Sequence, residues 1–506
     1  MFYHLRVIAR RTNFLAHNEQ ICIQWRRSKK KWVTAESSAL KNDPTRLALN
    51  HFDKHYGAQF GKDWPSIRLG LLSLQKYGAL FNNFCDEHET IEKLLELDAD
   101  DFVQMAAIKL RNIHKEKEAV TWKRDQSQLQ DGKLTNSTLS NELASSDEFA
   151  LSEECSMNVD NTNESVVHKD SRIATLEDEP TQSNISGIKG QRSQHKHSWK
   201  DEYIIAAGYE SKLEYMIGQD QVHEPSISLE ELDVETVVST FNTNPALRCF
   251  TFPIGNFQRF PPSRIDYASG LLMYYLLDAS SLLPVMALDL KPKDSVLDMC
   301  AAPGGKALAM LGISEEGGII LNEPSTARRK RLETVLKSYV PDKILNSGRI
   351  QLTSSEGQEW GASAPDTFDK ILVDVPCTTD RLSVKEKNNN IFKPRRSKER
   401  WELPSLQEEL LCSALLTVKS GGDVVYSTCS LSSLQNDGVV QGAISKCTQE
   451  YGMQIQVVDL SPLASCTKPV FTYSNTPRYG QLIVPDLKKN FGPMYFAKLR
   501  KVSCGS

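Results

Sequence analysis

The stretch that most constrains this chain is Val296–Lys306, which reads Val-Leu-Asp-Met-Cys-Ala-Ala-Pro-Gly-Gly-Lys. A short apolar run ends in an acid, a tight loop of small residues follows, and Ala307–Leu311 carries an apolar helical pattern. That is strand, glycine-rich turn and helix. Paired glycines let a ligand approach the backbone closely, and a helix N-terminus favours an anionic or polar group. The dinucleotide fingerprint is excluded, because the two glycines are adjacent and the third is missing. The phosphate-cradling P-loop is excluded, because neither Ser nor Thr follows Lys306. The loop suits an adenosyl ligand whose tail is an amino acid instead of a pyrophosphate, which describes S-adenosylmethionine.

From Ser295 onward, strand and helix patterns alternate. Strands are expected at Ser295–Met299, Gly318–Asn322, Arg349–Thr353, Lys370–Val375, Asp423–Ser427, Ile455–Asp459 and Tyr495–Leu499, with helices at Gly305–Leu311, Thr326–Tyr339, Leu403–Val418 and Ser433–Cys447. Repeated βα units imply a mostly parallel seven-stranded sheet covered on both faces, an α/β Rossmann-like fold that binds ligands beyond the carboxyl ends of its strands. At those ends stand Glu323, placed to accept the ribose hydroxyls, and Arg328 on the next helix, placed to support it. Glu356 and Gly357 follow the third strand, near where adenine would lie. Asp374 ends the fourth, between methyl donor and acceptor.

Two thiols fall at neighbouring strand ends. Cys377 follows Pro376, and Cys429 sits in Tyr-Ser-Thr-Cys-Ser. Adjacent strands lie about 5 Å apart, so both loops reach one cleft. A thiolate is a natural nucleophile for C6 of a pyrimidine. The addition makes C5 able to accept a methyl group, an acid must serve N3, and a base must remove the C5 proton. Cys429, Asp374 and Cys377 supply those three roles. Directly after the Pro-Cys loop, Arg381, Lys393, Arg395, Arg396, Lys398 and Arg400 are placed to neutralise phosphates beside a target base, with Phe392 to stack or wedge.

The 506 residues suffice for two or three domains, and the net charge of −4 decides nothing about nucleic acid by itself. The eleven cysteines form neither CxxC pairs nor zinc spacings with His, so neither a metal nor a disulfide framework is expected. No apolar run reaches the ~18 residues that would span a membrane. Residues 1–43 are basic, with bulky apolar side chains and no acid before Glu19, as in a mitochondrial presequence and basic arm. Residues 44–113 read as a small helical region, with periodic segments at Leu47–Tyr56, Ile67–Tyr77 and Ile91–Leu97. Residues 114–199, rich in Ser, Asn, Gln and acids, read as a disordered insertion. Residues 200–290 form a lead-in to RNA contact that contains a long apolar helix, Ala268–Leu283, ended by Pro284. Residues 291–501 are the catalytic domain.

Asp-Met-Cys-Ala-Ala-Pro-Gly-Gly-Lys, Val-Asp-Val-Pro-Cys and Ser-Thr-Cys-Ser together resemble the Nop/Sun family of RNA cytosine-5 methyltransferases, nearest to its mitochondrial ribosomal-RNA branch. Phe250–Pro253, Arg259–Pro262, Pro376–Arg381, Asn389–Lys393 and Phe491–Phe496 also resemble that branch. The resemblance spans about Pro44–Leu97 and Leu247–Lys501. It implies Cys429 as nucleophile, Cys377 in product release and Asp374 as the acid. It also implies Cys300, Gly304, Gly305, Lys306, Glu323, Arg328, Glu356, Gly357 and Asp374 at cofactor-contact positions, with S-adenosyl-L-methionine as cofactor. DNA cytosine methyltransferases attack with a Pro-Cys thiol, which keeps Cys377 open as the alternative nucleophile. The chain departs from that branch with Glu323 and Glu356 where Asp is usual. The implied substrate is mitochondrial small-subunit ribosomal RNA in the matrix. The implied partner is a helical-repeat protein of the mitochondrial transcription termination factor family. A transfer RNA substrate, a small-molecule methyltransferase and an RNA-binding assembly factor with dispensable catalysis remain the alternatives.

Overall fold

The computed structural model describes residues 43–113 and 234–503, except 239–240, 242–243 and 315. The expected presequence, apart from Asp43, and the expected insertion at 114–199 lie outside the described residues. Asp43 caps helix α1 (Pro44–Phe60) by accepting the Thr45 N–H at 3.1 Å, and Pro44 fills a position that needs no donor. The buried residues Ala48, Phe52, Tyr56 and Phe60 recur every fourth position. The stripe continues through Ile67 and Leu71 of α2 (Trp64–Leu72) and shares one core with Ile371, Val373, Val424 and Tyr426 of the large sheet. Helix α3 (Glu87–Glu96) completes the three helices that periodicity foretold.

A small antiparallel sheet, which periodicity did not foretell, accompanies those helices. Its strands are β1 (Gly78–Phe81), β2 (Asp100–Asp101), β4 (Cys249–Thr251) and β5 (Tyr274–Leu277), in the order β2-β4-β1-β5, while β3 (Thr236–Val238) joins the large sheet. The expected helix Ala268–Leu283 does not form. Gly270, at φ +72°, turns a hairpin closed by the Ile265–Leu272 bridge, and β5 follows. A short apolar run serves a buried strand as well as a buried helix, so periodicity could not separate them. Asp278 then caps a 3-10 turn (Ala279–Leu282) that leads into α4 (Leu283–Leu288). Pro284 therefore opens a helix instead of ending one.

The seven expected strands are all present: β6 (Val296–Asp298), β7 (Ile319–Asn322), β8 (Ile350–Thr353), β9 (Phe368–Asp374), β10 (Val418–Thr428), β11 (Gln454–Asp459) and β14 (Met494–Ser503). The order is β8-β7-β6-β9-β10-β14-β11, parallel from β8 to β10 and antiparallel at β14. Short strands β12 (Tyr473–Ser474) and β13 (Gln481–Ile483), with β3, extend the edge beyond the expected seven. Helices α5 (Gly305–Ile313), α6 (Thr326–Tyr339), α7 (Ser397–Thr417) and α8 (Val439–Tyr451) cover the two faces. Helix α7 begins six residues before the expected Leu403 and carries Pro404 within it. The strand order reverses between β6 and β9, and an open α/β sheet forms its crevice at that point.

Candidate active site

The loop after β6 is held tightly in shape. Gly304 caps α5 at φ +118°, and a Cβ there would stand 3.0 Å from Leu332 and 3.1 Å from Val335 of α6. A Cβ on Gly305 would meet the Tyr275 ring at 3.0 Å. The positive φ at Gly304 strains any other residue, and a side chain at Gly305 would push the Tyr275 ring aside. Beneath the loop, Asp298 is 1% exposed and neither carboxylate oxygen has a hydrogen-bond partner beyond a weak approach from the Cys300 N–H. Burial, reinforced by the nearby Asp374 carboxylate, pushes its pKa up to about 7. Lys306 Nζ reaches Asp374 Oδ2 at 2.8 Å, and Ser427 Oγ donates to Asp374 Oδ1 at 2.7 Å. Burial works against the charge on Lys306, yet the Asp374 carboxylate holds its pKa above the usual value.

Glu323, also 1% exposed, ends the β7 segment. Its Oε1 accepts the Ser325 N–H at 3.1 Å. Its Oε2 lies 3.2 Å from the Arg328 guanidinium but out of hydrogen-bond alignment. Arg328 donates to the Ala302 carbonyl at 2.8 Å, which ties the glycine loop to the start of α6. Cys300 is buried at the base of the loop, where burial drives its thiol well above its ordinary pKa and leaves it a small apolar filler. Two expected residues follow β8. Glu356 is exposed, and Gly357 is buried where a Cβ would fall 2.3 Å from Leu410 Cδ2, so packing accounts for that glycine. Asp298 was not among the expected site residues, although an acid ending the apolar run before the loop was its signal. Two buried carboxylates aimed at one glycine-lined crevice, each with an oxygen lacking a hydrogen bond, fit a ligand bearing an ammonium and a ribose. S-adenosylmethionine is such a ligand.

The two thiols meet: Cys377 Sγ and Cys429 Sγ are 3.2 Å apart. The hydrogen bond with Cys377, then burial, hold the Cys429 thiol well above its ordinary pKa. Lys306 feels Cys429 as a neighbour, so a cation stands ready should that thiol ionise. The supporting residues were not legible beforehand. Asp380, wholly buried three residues past Cys377, accepts the Tyr56 hydroxyl at 2.9 Å and the Leu431 N–H at 2.7 Å. Gln407 donates to the Pro376 carbonyl at 2.7 Å, and Gln435 accepts the Thr378 N–H at 3.2 Å.

The basic run divides. Arg381 is buried, and its guanidinium donates to Gly492 O at 2.6 Å, Gly70 O at 3.1 Å and Asn490 Oδ1 at 3.0 Å. It is therefore a structural brace, unavailable to a phosphate. Phe392 is 2% exposed, set against Phe52 with ring centroids 5.3 Å apart and beneath Arg400 at 4.7 Å, so it neither stacks on a base nor wedges. Arg396 grips Glu399 and the Asn389 carbonyl. Arg395 and Lys398 are exposed and Lys393 is half-buried.

Residues 285–500 match the family described as 16S rRNA methyltransferase RsmB/F. The 5-cytosine rRNA methyltransferase NSUN4 of Bos taurus is 38% identical over 477 residues, 94% of this chain and 94% of its own. The chain belongs to the Sun family of rRNA cytosine-5 methyltransferases. Members of this family take their methyl group from S-adenosylmethionine. The mitochondrial tRNA (cytosine(34)-C(5))-methyltransferase of Mus musculus is 39% identical over 243 residues, 47% of this chain and 67% of its own. Among solved structures, NSun6 from Pyrococcus horikoshii with SFG is similar over 46% of this chain and 54% of its own, at 25% identity and a TM-score of 0.36.

Proposed function

We propose that this Sun-family enzyme methylates C5 of a cytosine in mitochondrial small-subunit ribosomal RNA, in the matrix, through a covalent Cys429–cytosine adduct. The observation that carries the mechanism is the 3.2 Å approach of Cys377 and Cys429 beside the Lys306–Asp374 pair. Asp298, Glu323 and the Gly304–Lys306 loop hold the cofactor, which supplies an electrophilic methyl group. The Cys429 thiolate, stabilised by the Lys306 cation, adds to C6 and pushes an electron pair onto C5. Asp374 supports N3 while that charge moves into the ring. Both thiols give up their protons to solvent before these steps; once C5 carries the methyl group, the Cys377 thiolate takes the C5 proton, the Cys429–C6 bond breaks with its electron pair returning to sulfur, and the aromatic ring re-forms.

The choice of ribosomal RNA follows the bovine relative, which aligns over nearly the whole chain, whereas the murine tRNA enzyme aligns over less than half of it. The basic, acid-poor start of the sequence supports the compartment. Arg395, Lys398 and Lys393 serve phosphates, and the 200–290 lead-in contributes exposed Phe257, Arg259, Arg264 and Tyr267. A helical-repeat partner, and with it a role in ribosome assembly, completes this reading. Exposed Leu74, Tyr77, Ile254, Phe257 and Leu487 offer such a partner an apolar surface, on segments linked by the Lys76–Pro253 and Gly255–Lys488 hydrogen bonds.

The test is single-turnover methylation of mitochondrial small-subunit RNA, with transfer RNA alongside, resolved on a denaturing gel. Cys429→Ser should give neither methyl transfer nor a covalent band, and Cys377→Ser should accumulate the covalent band. The opposite pattern would make Cys377 the nucleophile. Methylation of transfer RNA alone would overturn the substrate, and methylation of neither RNA would leave assembly as the function.

A further inference from the structure

The mechanism above needs Cys377 and Cys429 within reach of one pyrimidine, yet they stand on separate loops. Neither loop is fixed by the sheet alone, since both lie past the last paired residues of β9 and β10. A buried carboxylate joins them. Asp380 Oδ2 accepts the Leu431 N–H at 2.7 Å, two residues past Cys429, and Oδ1 accepts the Thr378 hydroxyl, one residue past Cys377. The Asp380 N–H also approaches the Cys429 carbonyl at 3.4 Å. Ser430 Oγ donates more weakly to Oδ2 at 3.3 Å, and a further donor comes from the far end of the sequence: the Tyr56 hydroxyl, on the buried stripe of α1, reaches Oδ2 at 2.9 Å. Ser430 Oγ sits 2.9 Å from the Thr378 hydroxyl and closes the ring of contacts.

The geometry points to a positioning role: Asp380, oriented by Tyr56, clamps the two cysteine loops to each other and sets the spacing of the thiols. This rests on the two-thiol chemistry proposed above. The N-terminal helix thereby becomes part of the active-site scaffold. Asp380 holds loop backbone and hydroxyl groups, whereas the reacting atoms belong to the cysteines. Burial raises its pKa, but the donors around it satisfy the ionised form. A displacement near 1 Å between reacting groups can cost on the order of 100-fold in rate, so loosening a clamp of this kind shows in turnover.

Two full-length variants test it, Tyr56→Phe and Asp380→Asn, each compared with wild type by two readouts. The first is single-turnover methylation of the RNA, with KM separated from kcat. The second needs no RNA. Diamide removes two electrons and two protons from the thiol pair, and the rate of Cys377–Cys429 disulfide formation, followed by peptide mapping, reports their spacing directly. Circular dichroism melting checks the fold. Tyr56→Phe removes a single hydroxyl and keeps the ring packed, so it remains informative if Asp380→Asn does not fold. The expected result is an unchanged KM, a kcat reduced about tenfold in Tyr56→Phe and further in Asp380→Asn, and slower disulfide formation in the same order. Unchanged kcat and unchanged cross-linking in the folded Tyr56→Phe protein would overturn the clamp, as would lost kcat with wild-type cross-linking. Failure of wild type to methylate RNA would sink the proposed activity, and the cross-linking rates would still decide the clamp.

Discussion

Asp298 offers the sharpest quantitative test of the cofactor site. Its carboxylate is buried with only a weak approach from the Cys300 N–H, and its pKa in the ligand-free protein stands at about 7, raised from 3.8 first by burial and then by Asp374. If it faces the ammonium of the amino-acid tail, the ligand binds the ionised form. With a pKa of about 7, roughly 3% of Asp298 is ionised at pH 5.5 and about half at pH 7.0. Affinity should therefore rise about 16-fold across that interval, or ~1.6 kcal/mol. The interval stops at pH 7.0 because an α-amino group itself begins to lose charge near 7.7–8.0. Isothermal titration with S-adenosylhomocysteine measures this, and repeating it in buffers of different ionisation enthalpy counts the proton released. The linked stability has a definite sign. Between 3.8 and about 7 the folded chain binds a proton that the unfolded chain does not, so the ligand-free fold loses stability as pH rises through that window. Asp298→Asn should bind more weakly with no pH dependence in the same range. A flat wild-type profile, or an equal slope in Asp298→Asn, would refute the assignment.

Three further outcomes concern the basic run and the loop after β8. Arg381→Ala should lower stability by ~3 kcal/mol in chemical denaturation, because the Gly70 and Gly492 carbonyls lose their donor in a buried site. Arg395→Ala and Lys398→Ala should melt like wild type while each reduces the salt slope of RNA binding by about one, measured by fluorescence anisotropy. Gly357→Ala forces a methyl group to within 2.3 Å of Leu410 Cδ2 and should destabilise by ~1–3 kcal/mol in the same denaturation assay, with cofactor affinity per folded molecule unchanged.

The large sheet was legible because four of its strands are apolar runs that end in, or directly before, a chemically distinctive residue: Asp298, Glu323, Asp374 and Cys429. Two independent signals, apolar patterning and a reactive terminus, agreed at every site-bearing strand. The small sheet carried no such second signal. Tyr274–Leu277 is apolar on both sides and follows Leu-Leu-Met, so it reads equally as helix, and only the turn at Gly270 and its neighbours decides. Arg381 shows a different limit. A basic side chain in a basic run reads as phosphate contact, yet its three acceptors come from Gly70, Asn490 and Gly492, more than 100 residues away on either side. Local composition carries no trace of partners that remote. The same holds for Tyr56, which lies on a helical stripe as any core tyrosine would while its hydroxyl reaches a carboxylate 324 positions later.

These long-range ties change what the N-terminal segment is for. Phe52, Tyr56 and Leu71 are fully buried or nearly so in the same core as Val373 and Tyr426 of the strands that present Asp374 and the Cys429 loop. Asp380 and Arg381 are consecutive, and both bind that segment, one through Tyr56 and the other through the Gly70 carbonyl. The Pro-Cys loop thus leaves the sheet at Pro376, presents its thiol, and is anchored within five residues to α1 and α2. Phe392 anchors the far end of the same loop against Phe52. A loop held at both ends by one helix cannot drift independently of it, so the position of Cys377 is set as much by residues 44–72 as by the strand that carries it. The catalytic sheet supplies the reactive groups, and the N-terminal helices determine where half of them stand.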